Sequence, residues 1–105
     1  MKLIRAIVRP DREAEVLTAL ETAGFYAVTK LPVRGRGRQK GIQVGAVSYD
    51  ELSKLMLLLA VEDADLARAL DAIEGAAWTG HPGDGRISVQ ALEQVYTVRT
   101  GGVGL

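Results

Sequence analysis

The sequence predicts one α+β domain in which a four-stranded antiparallel sheet carries two helices on one face, in the order βαββαβ. Apolar runs typical of strands alternate along the chain with apolar stripes typical of helices. The second half also repeats the first, because Ala6-Ile7-Val8 corresponds to Leu59-Ala60-Val61 at a displacement of 53 residues, and a helical stripe follows each run. Two βαβ units of this kind form the ferredoxin-like split arrangement.

Composition limits the possible functions. The 105 residues suit a single domain over 1–105, and 48% hydrophobic with 25% charged residues is typical of a globular protein. The absence of cysteine and the presence of one histidine exclude a zinc–thiolate site, an iron–sulfur cluster and a multi-histidine metal site within one chain. Zero net charge argues against a whole surface that binds nucleic acid. No apolar run reaches roughly 18 residues and no secretory signal pattern opens the chain, so we expect a cytoplasmic protein without an integral membrane segment.

The first half predicts a strand, a helix and a second strand. Residues 2–9 are apolar enough for a central strand, which Pro10 ends. A helical stripe predicts a helix over 12–23, and Gly24 suits its C-terminal end. Apolar alternation over 25–33 predicts the second strand.

The second half predicts the same elements, separated by two loops rich in glycine. The long loop covers 35–53, because its glycine density does not suit a strand or a helix. Asp11 is a candidate N-cap or first-turn acid before the first helical stripe, and Asp63 is a candidate N-cap before the second. A buried strand is predicted at 54–61 and a helix at 64–76. The second glycine-rich loop follows at 79–86, then two short strands at 86–90 and 93–99, and a flexible tail at 100–105.

The predicted sheet has one face without helices. Its first and third strands are apolar on both sides, so the uncovered face is apolar as well. Such a face predicts self-association.

The start of the long loop is a candidate anion site. Gly35-Arg36-Gly37-Arg38-Gln39-Lys40-Gly41 combines glycines that let backbone N–H groups converge with three cations, which suits a polyphosphate. Gln39 offers an oxygen to a phosphate-bound Mg²⁺. The spacing matches neither the Walker A nor the Rossmann motif. A solvated basic loop is the alternative interpretation.

A second candidate site lies in Gly83-Asp84-Gly85-Arg86, whose amides and guanidinium suit phosphate. The alternative for Asp84 is a structural role in a turn, bonded to its own backbone. Lys54, at the start of an apolar strand, either extends to solvent at the strand end or faces an anionic ligand. Trp78 is interpreted as a core or interface residue.

Three separated segments form a recognisable set: Gly35-x-Gly37-Arg38-Gln39-Lys40-Gly41, Thr79-Gly80-x-x-Gly83-Asp84-Gly85-Arg86-Ile87 and Val98-Arg99-Thr100-Gly101. Together they resemble the P-II signal-transduction family (nitrogen regulatory protein P-II). The opening Met1-Lys2-x-Ile4-x-Ala6-Ile7 with Pro10 fits the same pattern, so the resemblance covers nearly the whole chain.

The resemblance implies a ferredoxin-like homotrimer that regulates rather than catalyses. It implies ATP or ADP in clefts between subunits, 2-oxoglutarate beside Mg-ATP, and a target protein bound by the long loop through residues 36–52. The implied nucleotide-binding residues are Thr29, Gly35, Gly37, Arg38, Gln39, Gly83, Asp84, Gly85, Arg86 and Arg99. The implied 2-oxoglutarate-binding residues are Gln39, Lys40, Gly41 and Lys54, with Gln39 also the Mg²⁺ ligand.

The sequence departs from the family pattern at several points. The YRGAEY segment with its modifiable tyrosine is absent, so Tyr49 is not its equivalent and we expect no uridylylation. Thr97 and Ser88 replace an arginine and a phenylalanine found in other members, and the lost cation is expected to alter the balance between ATP and ADP. Residues 44–52 resemble the nitrogenase-linked branch of the family, which implies a role in nitrogen fixation.

Other functions remain open at this point. A P-II-like paralogue could sense adenine nucleotides alone and regulate another target, such as a transporter. An RNA-binding module shares the ferredoxin-like fold, but this chain lacks the strand aromatics that stack bases. A nucleotide-hydrolysing enzyme lacks a Walker motif and a defined base, and a purely structural trimer would bind no ligand.

Overall fold

The computed structural model describes residues 1–36 and 51–105 in full and, between them, only the backbone of two short strands at 42–44 and 47–49. The elements in chain order are β1 (Lys2–Val8), α1 (Glu13–Thr22), β2 (Thr29–Gly35), β3 (Ile42–Val44), β4 (Val47–Tyr49), β5 (Leu52–Val61), α2 (Leu66–Ala77) and β6 (Gly85–Ala91). A short 3-10 turn precedes each helix, at Pro10–Arg12 and at Asp63–Asp65.

The main sheet has four strands in the order β2-β5-β1-β6, and every neighbouring pair is antiparallel. The central strands β5 and β1 are the apolar runs at equivalent places in the two sequence halves. Pro32 is tolerated within β2 because β2 lies at the edge of the sheet, where a missing N–H breaks no ladder. The predicted fold class is confirmed. The strands β3 and β4 pair with each other in a separate two-stranded sheet.

Both helices pack on one face of the sheet, and the core lies between the helices and the sheet. Alternate residues of β1 and β5 are buried, as the period of a half-covered strand requires. The buried core consists of Ile4, Ala6, Val8, Val16, Leu20, Leu55, Leu57, Leu59, Val61, Ala69, Ile73 and Ala77.

The intervening residues of β1 and β5 lie on the other face of the sheet. There, Leu3 pairs with Ala60 and Ile7 with Met56, and all four side chains are only partly buried in a single chain. The described helices leave this face uncovered, as the sequence predicts.

The second strand is displaced from its predicted position. The prediction of 25–33 was wrong at its start, because Phe25 donates its N–H to the Leu20 carbonyl (2.8 Å) and packs against the core instead of entering the sheet. Pairing with β5 then runs from Thr29 to Gly35. Register with the long apolar strand, rather than local alternation, decides where β2 begins and ends.

Neither predicted N-cap functions as one. Asp11 lies inside the first 3-10 turn, whose N-cap is Arg9, and no side chain caps this turn. Asp63 lies at the first position of the second turn, also without a capping bond. Its carboxylate instead pairs with the N-terminal amine (3.1 Å) and with Lys2 (3.8 Å), which lowers the pKa of Asp63.

The last predicted strand, at 93–99, was also wrong. This segment contains only an isolated bridge between Tyr96 and Val103. The tail folds back on it, because Thr97 donates to the Gly102 carbonyl (2.9 Å) and Gly104 donates to the Val95 carbonyl (2.8 Å). The predicted flexibility of 100–105 stays a prediction.

The long loop predicted at 35–53 is shorter than expected at both ends. Gly35 pairs with Leu52, so β2 and β5 extend into it. The short strands β3 and β4 lie within it, although the glycine content argued against strands there.

Gly85 fixes the start of β6. Its φ is +110°, and a Cβ at this position would lie 1.7 Å from the Ile7 carbonyl oxygen in the neighbouring strand. Gly24 has a similar φ of +95° but open space around it. Gly85 therefore satisfies both a backbone conformation and a close approach of two strands.

We expect Gly85→Ala to lower the free energy of unfolding by about 3 kcal/mol or more, because β6 must move away from β1. The control Gly24→Ala carries only the backbone strain, about 1 kcal/mol. Urea denaturation measures both. Equal losses in the two variants would contradict the close approach.

Candidate functional site

A cleft of about 600 Å³ opens at one end of the main sheet. The antiparallel order brings the ends of β1 and β2 together with the starts of β5 and β6 at this edge. The described lining residues are Ile7, Gly35, Arg36, Lys54, Gly83, Gly85 and Arg86. Gly35 and Arg36 of the first glycine-rich segment and Gly83, Gly85 and Arg86 of the second therefore meet here.

Asp84 holds the second loop closed from within. Its Oδ2 accepts hydrogen bonds from the Thr79 N–H (2.8 Å) and the Gly80 N–H (2.9 Å). Its Oδ1 accepts the Thr79 hydroxyl and the Arg9 Nε–H (2.9 Å). The structural alternative considered for Asp84 thus describes its contacts, because this carboxylate already has four donors within the protein.

These bonds strongly favour the ionised form of Asp84. The Thr79 hydroxyl is the main cause, followed by Arg9 and the Thr79 N–H, and together they hold the pKa of Asp84 far below its usual range. The loop is therefore closed by a carboxylate that stays charged under all ordinary conditions.

Two cations hold consecutive carbonyls of the same loop. Arg9 Nη2 donates to the Pro82 carbonyl (2.6 Å), and Lys54 Nζ donates to the Gly83 carbonyl (2.5 Å). A Cβ on Gly83, whose φ is +95°, would lie 3.4 Å from both cationic groups. A side chain at Gly83 would thus require strain and would crowd both cations.

The cleft is electropositive. Arg36, Lys54 and Arg86 line it, and its described lining contains no carboxylate. Partial burial is the main cause of a lowered pKa of Lys54, and nearby Arg9 adds to it. A cation that has lost part of its hydration and lies near another cation gains by binding an anion. The arrangement of glycine backbone and cations fits a phosphate or carboxylate group.

The structure brings some of the predicted site residues together and leaves others apart. Gly35, Lys54, Gly83, Gly85 and Arg86 line the cleft, with Asp84 directly behind it. Residues 37–41, which include Gly37, Arg38, Gln39, Lys40 and Gly41, lie outside the described residues.

Thr29 and Arg99 are absent from the described lining of the cleft. Thr29 begins β2 and Gly35 ends it, so they lie about 20 Å apart at the usual rise of a strand. Arg99 belongs to the exposed turn that follows β6.

Sequence reasoning missed Arg9, and of its two interpretations of Trp78 the core residue was wrong, while the interface residue stays a prediction. Arg9 ends the first apolar run, and its bond to Asp84 spans 75 residues, which local pattern does not reveal. Trp78 directly follows α2 and has 70% of its surface exposed, so it is not a core residue. Its ring lies against Gly80, beside the loop that Asp84 closes.

In the part of the chain that the structure describes, no three His, Asp or Glu side chains are grouped to hold a metal ion. Gln39, the implied Mg²⁺ ligand, lies beyond these residues. Neither described helix has the length and apolar character needed to cross a membrane.

Comparison with known proteins adds independent information. A family model described as nitrogen regulatory protein P-II matches residues 1–102. The nitrogen fixation nifHD2 region GlnB-like protein 1 of Methanosarcina barkeri is 50% identical over 105 residues and 100% of each chain. The nifHD region GlnB-like protein 1 of Methanothermobacter marburgensis shows the same identity and coverage. The nitrogen regulatory protein P-II of Rhodospirillum rubrum is 43% identical, over 96% of this chain and 94% of its own length.

The closed loop has a defined acid dependence. Because the pKa of Asp84 is lower in the folded than in the unfolded chain, its ionised form stabilises the fold above the unfolded value of about 4, and this contribution is lost as pH falls toward the folded value. We expect wild type to be more stable than Asp84→Asn by a constant amount from about pH 7 to 5, and the difference to shrink below about pH 4.

Urea denaturation across this pH range measures the difference. Asp63, whose pKa is also lowered, acts equally in both proteins and cancels. A difference that stays unchanged down to pH 3 would contradict the assignment of Asp84 as an ionised clamp.

Proposed function

This chain belongs to the nitrogen regulatory protein P-II family, and from that premise we propose that it senses adenine nucleotide and 2-oxoglutarate in the cleft. The family consists of regulatory signalling proteins, so the chain is a regulator of nitrogen metabolism and not an enzyme. In this proposal the ligands set the state of residues 36–52, which bind or release a target protein.

The electropositive cleft is the observation that carries the proposal. A nucleotide bound there places its phosphates near Arg86 and the Gly83–Gly85 backbone, at the start of β6. Asp84 closes the loop through bonds within the protein, so little order has to be gained on binding. Gly35 and Arg36 lie on the opposite wall, at the start of the segment that would contact the target.

Lys54 supports the 2-oxoglutarate part of the proposal. Its ammonium group lies in the cleft, 2.5 Å from the Gly83 carbonyl, and a dicarboxylate provides a charged alternative to that neutral acceptor. Gln39, Lys40 and Gly41 would complete this subsite, with Gln39 on the Mg²⁺ of Mg-ATP. The same segment would then contact both ligand and target, which couples their binding directly.

The proposed effect on a target follows population-shift logic. A ligand changes the state of 36–52 only to the extent that it binds one state better than another. The nifHD-region names of the relatives favour a target connected with nitrogen fixation, such as nitrogenase. A paralogue that senses adenine nucleotide alone is the alternative, and titration with 2-oxoglutarate distinguishes it. A cytoplasmic location is part of the proposal.

Calorimetric titration tests the sensor directly. We expect Mg-ATP to bind, and saturating 2-oxoglutarate to increase its affinity by at least about fivefold, a usual size for coupling between sites. Nucleotide binding without this coupling would favour the adenine-nucleotide sensor. No binding of ATP, ADP or AMP would overturn the proposed function.

Lys54→Ala separates the two ligands. We expect the affinity for 2-oxoglutarate in the presence of Mg-ATP to fall by about tenfold or more, because a charged hydrogen bond is lost, and the affinity for Mg-ATP alone to fall less. Lys2→Ala serves as control, because Lys2 begins β1 and the cleft lies where β1 ends. Identical titrations of Lys54→Ala and wild type would contradict the role of Lys54.

The position of Thr29 supports a homotrimer. Thr29 and Gly35 occupy opposite ends of β2, so one copy cannot place both at the same cleft. A neighbouring copy can contribute Thr29 and Arg99 and cover the exposed sheet face. That face carries Leu58 and Met56 next to Ile7, an apolar surface suited to a second copy.

Light scattering tests the trimer. We expect the mass of three 11.2 kDa chains for wild type. Leu58→Glu places a charge on the sheet face that the helices leave uncovered, so we expect a smaller mass for this variant. Asp71→Lys, on the exposed surface of α2, should leave the mass unchanged. A mass of one chain for wild type would contradict the homotrimer.

A further inference from the structure

We propose that Arg9 is a positioning residue for phosphate binding, holding the loop from Thr79 to Gly85 in shape and neutralising Asp84 beside the site. This inference rests on the proposed function, because the anion is the phosphate of the nucleotide. Arg9 follows β1, and its two hydrogen bonds go to the closing carboxylate of Asp84 and to the Pro82 carbonyl, so it acts through the loop.

The guanidinium of Arg9 binds the loop at two points. Its Nε donates to the Asp84 carboxylate (2.9 Å), and its Nη2 donates to the Pro82 carbonyl (2.6 Å). A planar guanidinium makes two such bonds with little loss of freedom, whereas an ammonium group has no fixed fork. Arg9 therefore fixes both the closing carboxylate and the backbone it closes.

Fixing a carbonyl also fixes the following amide. In a trans peptide the C=O and the next N–H point in opposite directions. The bond from Arg9 to Pro82 thus sets the direction of the Gly83 N–H, and the bond from Lys54 to Gly83 sets that of the Asp84 N–H. Successive oriented N–H groups are the donors with which a loop binds phosphate.

The charge of Arg9 also affects phosphate binding. Asp84 stays ionised, and it lies one residue from both Gly83 and Gly85, which line the cleft. A charged carboxylate next to these two residues would repel a phosphate bound in the cleft. Arg9 and Asp84 have only 28% and 23% of their side-chain surface exposed, so water screens the pair weakly and the opposing charge of Arg9 matters.

The matched variants are Arg9→Ala and Arg12→Ala. Arg12 also donates to a distant backbone carbonyl, that of Ala76 (2.8 Å), but it does not contact the loop. For Arg9→Ala we expect the affinity for Mg-ATP to fall by about tenfold or more, and that for AMP by less than about threefold, because AMP has only one of the three phosphates that the loop can bind. Arg12→Ala should bind both ligands as wild type does.

Two further variants separate charge from shape. Arg9→Lys keeps the charge but lacks the fork, so we expect a loss between those of wild type and Arg9→Ala. In Arg9→Ala with Asp84→Asn the uncompensated charge is gone, and we expect the combined loss of Mg-ATP affinity to be smaller than the sum of the two single losses. Equal losses for ATP and AMP, or fully additive losses in the double variant, would overturn the proposal.

Hydrogen exchange in the free protein distinguishes this inference from the proposed function. The Thr79 and Gly80 amides are bonded to Asp84, so we expect them to exchange faster in Arg9→Ala than in wild type or Arg12→Ala. If wild type binds no nucleotide, the proposed function fails, while faster exchange still supports Arg9 as the residue that holds the loop. Unchanged exchange in Arg9→Ala would overturn the inference.

Discussion

The Asp84 carboxylate accepts hydrogen bonds from Thr79, Gly80 and Arg9, and in doing so ties a glycine-rich loop to the end of a central strand. Apart from these bonds the loop packs little against the rest of the protein, since residues 80–83 are exposed. Its shape therefore depends on one ionised side chain with partners on both sides. Because β6 starts directly after Asp84, the same bonds also determine where the last strand enters the sheet.

The close approach of Gly85 to β1 belongs to the same arrangement. No side chain fits between β6 and the Ile7 carbonyl, so the loop reaches the sheet edge without a gap. The cleft is thus built on strand ends of a packed sheet and not on a free loop. Such support suits the proposed phosphate site, whose donors have to be held in fixed positions.

Much of the fold follows from the sequence alone. The apolar period of β1, β5 and the two helices predicts the sheet and its covered face, because burial on one side imposes that pattern. The start of β2 and the absence of a strand at 93–99 do not follow, since they depend on pairing with distant residues. Asp63 looks like a helix cap, but it binds the N-terminal amine, which is near only in the folded chain.

The candidate site was predictable in its parts but not in its connections. The glycines and cations at 35 and 83–86 were visible as motifs, and the structure brings them to one cleft. The link from Arg9 to Asp84 was not visible, because no local pattern joins residues 75 positions apart. Thr29 lies at the end of β2 opposite to Gly35, so its predicted place in the nucleotide site, which would need another copy, stays a prediction.

The central claim is that nucleotide binds at the cleft between Gly35 and the loop from Thr79 to Arg86. Hydrogen exchange of the wild-type protein with and without Mg-ATP, resolved by peptide, tests it most directly. We expect Mg-ATP to slow exchange in the peptides that contain 35–41 and 79–86, and to leave the middle of α1 unchanged. Binding without protection of either segment, or protection confined to the helices, would contradict it.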